Sequence, residues 1–193
     1  MKVAILLGSV RMGRQTHKAA YYLKERLTNR TIETDLIDLA EDPLPVLKER
    51  VGHHPDPPEN VMDISERLHE ADALLLVTPE YHGSVSGVLK NAIDYFWSEF
   101  QKKPIGVVAA SAGGFGGINA STHLQQIILG VGAYPMPLNL LVPRIHQAFD
   151  DSFEPQNEHI IKSTKNFLDE FLWFADALHQ KKTEDQEYEE EVA

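Results

Sequence analysis

The segment Gly8-Ser9-Val10-Arg11-Met12-Gly13-Arg14-Gln15-Thr16 joins a short apolar run to a stretch with helical spacing. A helix begins with free backbone N–H groups and the positive end of its macrodipole, so an anion is stabilised at that point. Ser9 and Thr16 add hydroxyl donors, and Arg11 and Arg14 add guanidinium groups that pair with phosphate oxygens. A phosphate monoester suits this loop. It lacks the Gly-Lys-Ser/Thr ending of a nucleoside triphosphate loop, which argues against a kinase or ATPase. A second segment, Thr78-Pro79-Glu80-Tyr81-His82-Gly83-Ser84, reads as a turn whose peptide groups can hydrogen-bond a planar polar ring while Tyr81 packs on it. A third, Ser111-Ala112-Gly113-Gly114-Phe115-Gly116-Gly117, can bring backbone N–H groups and Phe115 to the far side of that ring. It is not a dinucleotide fingerprint, because Gly114-Phe115-Gly116-Gly117-Ile118-Asn119 fails at the last position.

Each of these segments follows an apolar run. Runs rich in Val, Ile and Leu recur at Val3 to Leu7, Thr34 to Leu39, Ala73 to Val77, Ile105 to Ala110 and Leu138 to Val142. Strands this continuously apolar are buried on both faces, as in a parallel sheet covered by helices. Between them lie helical stripes: Ala19 to Leu27, about Asn60 to Glu70, Val88 to Phe100, Leu124 to Val131, and about Glu158 to Lys181. Alternation of strand and helix predicts an α/β sandwich of three layers, the flavodoxin-like arrangement of five parallel strands in the order 2-1-3-4-5 with helices on both faces. That order places the ends of strands one and three beside the switch point where ligands bind, so the three segments are expected to meet.

One domain is expected over residues 1–182, with the proline-rich stretch Glu41 to Pro58 as a loop and residues 183–193 as an acidic, disordered tail. The tail carries six acids and no base, leaving 23 acids against 18 bases in the rest. A chain so balanced lacks the basic face that nucleic acid requires. No run approaches the length of a membrane span, no leader-like segment opens the chain, and cysteine is absent, so a soluble cytoplasmic protein with no membrane partner is expected. The nine histidines show no ligand spacing, so no metal is expected. Gly83-Ser84-Val85-Ser86-Gly87 is not a nucleophile elbow, since valine stands where the serine must be. The aromatic residues Tyr95, Phe96, Trp97 and Phe100 spread around more of the third helix than one sheet face covers, which predicts a partner subunit.

The chain resembles the NADPH-dependent FMN reductases, the flavodoxin-like group that includes quinone, azo-dye and chromate reductases. The resemblance rests on Gly8-Ser9-x-Arg11-x-Gly13-Arg14, on Pro79-Glu80-Tyr81-His82-Gly83-Ser84 continuing through Gly87-x-Leu89-Lys90-Asn91-Ala92-Ile93-Asp94, and on the Ser111 to Gly117 loop, and it spans roughly residues 1 to 180. It implies that Ser9, Arg11, Gln15 and Thr16, with Arg14 beside them, hold the phosphate of FMN. It implies that Pro79, Glu80, Tyr81, His82, Gly83 and Ser84 lie along the isoalloxazine, and that Ser111, Gly113 and Gly114 close the site. Many members have serine at the position of Arg14 and asparagine at that of His82. A homodimer or homotetramer is also implied.

The activity so implied is an oxidoreductase in which hydride passes from NADPH, or NADH, to flavin N5 and then to an acceptor such as a quinone, an azo compound, a metal oxyanion or free flavin. The protein then supplies orientation and electrostatics, and no side chain is required as acid or base. Arg14 and the loop around Arg144 are candidates for the phosphates of the nicotinamide nucleotide. Two other readings are a flavodoxin-like electron carrier, and an interaction protein that responds to flavin without turnover.

Overall fold

The computed structural model describes the backbone of residues 1–192 and the side-chain surroundings of residues 1–185. In chain order the elements are β1 (Lys2–Leu7), α1 (Thr16–Thr28), β2 (Glu33–Asp38), α2 (Glu59–Glu70), β3 (Ala73–Pro79), α3 (Gly87–Tyr95), β4 (Pro104–Ala110), α4 (Ile118–Gly130), β5 (Tyr134–Pro135), β6 (Leu140–Val142), α5 (Ile145–Ala148) and α6 (Glu158–Val192). The strands form one parallel sheet in the order β2-β1-β3-β4-β5, with β6 also paired to β4. This is the order that the strand pattern predicts. The last strand is divided, because Pro135 and Pro137 cannot donate to a ladder and leave two short pieces, one on each side of residues 136–139.

Successive side chains of a strand face opposite sides, and β1 divides accordingly. Val3, Ile5 and Leu7 pack with Ala19, Leu23 and Leu27 of α1 and with Phe167, Phe171 and Ala175 of α6. Ala4 and Leu6 pack on the other face with Ile64 and Leu68 of α2, Leu89 of α3, and Leu124 and Ile128 of α4. Two cores flanking one sheet hold its carboxyl edge rigid, and the three chemistry-bearing loops leave from that edge.

Three sequence expectations are corrected. The helix expected through Phe100 stops at Tyr95. The buried Glu99 carboxylate organises a turn there, accepting hydrogen bonds from the Trp97 N–H, the Ser98 hydroxyl and the Ser65 hydroxyl. The chain thus folds back and buries Tyr95, Phe96 and Phe100 in the protein's own core, leaving only Trp97 of the four half-exposed, so the aromatic argument for a partner subunit does not hold. The acidic stretch from residue 183 continues α6 as helix through Val192. Glu, Lys and Gln are good helix formers, and the Lys181–Asp185 pair lies at helical spacing.

Lys103 lies almost wholly buried, its Nζ donating to the Leu68 and His69 carbonyls at the end of α2. Burial pushes its pKa down to about 8, with the Lys182 cation acting in the same direction. An unfolded chain then binds more protons than the folded one between about pH 8 and the ordinary lysine value of 10.5. Stability contributed at this site must rise with pH across that window. Urea unfolding of the protein and of Lys103→Met at several pH values is expected to show a more positive slope across this window in the former than in the latter.

Candidate functional site

The loops after β1, β3 and β4 enclose a cleft of about 240 Å3. Ser9, Arg11, Arg14, Gln15 and Thr16 line one wall, and Pro79, Glu80 and Tyr81 line the next. Ser111 faces them with Ala110 and Ala112, and Ile145 and His146 of α5 complete the rim. His82, Gly83, Ser84, Gly113 and Gly114 stand outside this lining. Sequence reasoning missed Ile145 and His146 as site residues, because a helix of four residues has no periodicity to detect.

One end of the cleft carries hydrogen-bond donors without partners. The first turn of α1 carries neither a side-chain cap nor an acidic residue, so its leading N–H groups can receive a ligand. Ser9 is 1% exposed, and its hydroxyl has no hydrogen-bond partner among the described residues. A buried hydroxyl left in this state costs about 1–3 kcal/mol, a penalty that a phosphate oxygen would remove. The Arg11 guanidinium lies 5.5 Å from the centre of the Tyr81 ring, bridging the first and second loops from the exposed side.

Arg14 is engaged within the protein itself. Its Nη1 donates to Asp38 Oδ1 at 2.5 Å and to the Ser9 carbonyl at 2.7 Å, while Nη2 donates to Asp38 Oδ2 at 2.7 Å. The hydrogen bond to Asp38 raises its pKa above the ordinary arginine value. Next along the chain, burial and the neighbouring Arg14 and Lys18 cations lower the pKa of His17. Its ring packs edge-on against Tyr21 and Phe153.

The second and third loops are held by ties within and between them. Tyr81 N–H donates to the Ser84 carbonyl at 2.9 Å, and Ser84 N–H returns a bond to the Tyr81 carbonyl at 3.0 Å. His82 and Gly83 form the tip of this turn with φ of 52° and 75°. Positive φ at both central positions is the type I′ turn, which favours Asn-Gly. His82 therefore holds a conformation that asparagine adopts more readily, and His82→Asn is expected to stabilise the fold by about 0.5 kcal/mol in thermal or urea unfolding.

The Glu80 carboxylate reaches α4, where it accepts from the Asn119 N–H at 3.0 Å and the Ala120 N–H at 3.1 Å. It thereby caps that helix and fastens the second loop to the third. Glu80→Ala is expected to cost about 1 kcal/mol of stability and Glu80→Gln less, since the amide oxygen can still accept. Ser84 Oγ is 2.8 Å from His123 Nδ1 on α4, a second tie between the same elements. On the far side, the Arg144 N–H donates to the Gly113 carbonyl and the Ile145 N–H to the Ser111 carbonyl, joining the third loop to α5. The Ser111 hydroxyl itself donates to the Gly113 carbonyl. Arg144 holds a left-handed backbone, φ 44°, and its Nη2 lies 3.8 Å from where a Cβ on Gly114 would stand.

The family model described as NADPH-dependent FMN reductase matches residues 1–147. An FMN-dependent NADPH-azoreductase of Staphylococcus aureus (strain USA300) is 37% identical over 144 residues, which covers 72% of this chain and 76% of the relative. The flavoenzyme FerB, an NAD(P)H:(acceptor) oxidoreductase from Paracoccus denitrificans, superposes with a TM-score of 0.79 at 27% identity, over 91% of this chain and 97% of that one. An NAD(P)H:quinone oxidoreductase from Methanothermobacter marburgensis superposes with a TM-score of 0.64 at 17% identity, over 86% of this chain and 97% of that one, a likeness of fold.

Proposed function

Because the chain belongs to the NADPH-dependent FMN reductase family, we propose that its cleft holds FMN with the phosphate against the first loop and the ring between the second and third. The unpartnered Ser9 hydroxyl, buried beside the uncapped start of α1, is the observation that carries this reading. Ser9, Thr16, Gln15 and the α1 amides take the phosphate, and Arg11 swings from Tyr81 to pair with it. The second loop presents its backbone and Tyr81 to the ring, and Ser111 with the neighbouring peptide groups closes the opposite side. FMN, when bound, supplies the hydride-accepting and electron-donating chemistry. The chain's part is to orient it, to place N–H dipoles where negative charge develops, and to leave room for the nicotinamide and the acceptor in turn.

The acceptor class is a small conjugated molecule such as an azo compound or a quinone, supported by the azoreductase relative and by the apolar side chains Met12 and Phe115, both exposed, on the first and third loops. The reading also makes the protein a cytoplasmic homo-oligomer. Exposed Ile118 and Leu129 on α4 supply apolar surface for a second copy.

The purified protein is expected to be yellow and to lose its flavin absorbance when NADPH is added without oxygen. A protein that retains FMN yet keeps its colour under NADPH would be an electron carrier, and the reductase reading would be lost. Arg11→Ala is expected to weaken FMN by about 2 kcal/mol, the worth of one charge-assisted hydrogen bond, in a fluorescence titration of the flavin-free protein.

A further inference from the structure

We propose that the Arg14–Asp38 pair is the strut that makes this cleft select a phosphorylated flavin over riboflavin, acting through the Ser9 peptide without touching the phosphate. The inference rests on the reading of the cleft as an FMN site. It assigns to Arg14 a positioning role in place of the direct contact its charge suggests.

Three observations carry it. Asp38 is the last residue of β2, and its side chain is only 5% exposed. Both of its oxygens face the Arg14 fork, and Oδ1 also accepts from the Ala40 N–H at 3.0 Å. The same Arg14 Nη1 that meets Oδ1 holds the Ser9 carbonyl, so a single guanidinium links the end of β2 to the loop leaving β1. Finally, Ser9 has one polar group fixed by Arg14, its carbonyl, and another left without a partner and buried, its hydroxyl on the cleft wall.

Fixing the carbonyl fixes the peptide plane and the Cα–Cβ direction of Ser9, which is what aims the hydroxyl. The fork of Arg14 is already matched to a carboxylate in two-point geometry, so taking up a phosphate would mean breaking a nearly buried ion pair. The pair also settles the local charge. Asp38 alone would set a buried anion behind the phosphate loop and repel a dianionic ligand, whereas Asp38 with Arg14 gives a neutral backing. Riboflavin has no phosphate and is indifferent to all of this.

The test is a titration of the flavin-free protein with FMN and with riboflavin, followed by flavin fluorescence. Arg14→Ala is expected to weaken FMN by about 30-fold, since it both releases Ser9 and exposes the charge of Asp38, and to leave riboflavin within about 2-fold. Asp38→Asn keeps the volume of the side chain but leaves one acceptor in place of two and frees the Arg14 charge; the freed charge favours FMN and the loss of the two-point anchor disfavours it, and the loss is expected to prevail, weakening FMN by about 3-fold. The double variant is expected to bind FMN no worse than Arg14→Ala alone, as two halves of one strut should. Tighter FMN binding in Asp38→Asn would show that a freed Arg14 binds phosphate directly, and would overturn the proposal. Equal losses for FMN and riboflavin would also overturn it, by reducing the pair to support of the fold. If Arg14→Ala does not fold, Asp38→Asn decides between these outcomes by itself. Wild-type protein that fails to prefer FMN to riboflavin would instead remove the FMN reading on which the proposal stands.

Discussion

Gly8→Ala is expected to destabilise the protein by about 3 kcal/mol and to release bound FMN, the larger part of which follows from sterics alone. A Cβ at position 8 would stand 2.5 Å from Leu89 Cβ, 3.0 Å from Ser86 Oγ and 3.3 Å from Leu89 Cα. None of these atoms is the free end of a flexible chain, so α3 as a whole must move. The motion would break a buried junction: Ser86 caps α3 by accepting from the Leu89 N–H, and its hydroxyl donates to the Gly8 carbonyl at 2.6 Å. The Gly8 N–H donates in turn to the Val77 carbonyl, so β1, β3 and α3 are joined at this residue. Loops one and two diverge from it. Urea unfolding and FMN titration test the expectation together, and a variant within about 0.5 kcal/mol of the parent would show that α3 is free to slide.

Much of this organisation could be read from residue order, for reasons that also mark where the reading ends. Strands such as Val3 to Leu7 announce themselves because burial on both faces demands an unbroken apolar run, and the crossover rule then fixes the sheet order. The start of α1 as an uncapped helix end flanked by hydroxyls and arginines was legible too, since that needs only local chemistry. Partner choice over long separations was not. Nothing near Arg14 in the chain indicates that Asp38, 24 residues away, will claim its fork. Nothing near Glu80 in the chain indicates that its carboxylate will be drawn 39 residues along to the amides of α4. The aromatic stripe misled for a related reason: periodicity extends a helix through Phe100, whereas a buried carboxylate at Glu99 turns the chain and brings Phe96 and Phe100 inside. In each case a charged group was satisfied by backbone or by a distant ion, and that pairing is decided only when the elements assemble.

The same dependence makes Gly117→Ala a damaging single methyl in the third loop. Gly117 precedes α4 with φ of 87°, where an alanine costs about 1–2 kcal/mol by backbone strain. Its Cβ would also lie 2.9 Å from Ala109 Cβ and 3.0 Å from the Ala110 nitrogen, both part of the rigid strand β4. Strain and overpacking together come to about 3 kcal/mol or more. The loop must then shift, and the start of α4 with it. Glu80 takes its two amides from the first turn of that helix, so the displacement reaches the second loop as well as the third, and the ring slot between them widens. Lower stability in urea and weaker binding of both FMN and riboflavin are therefore expected, since the damage falls on the ring end. Gly130, at the other end of α4, provides the control, because a Cβ there meets nothing within 4 Å. Gly130→Ala is expected to stabilise the protein by about 0.5–1 kcal/mol and to bind flavin normally. Should both alanines behave alike, the carboxyl edge of β4 would not be the fixed wall that the cleft requires.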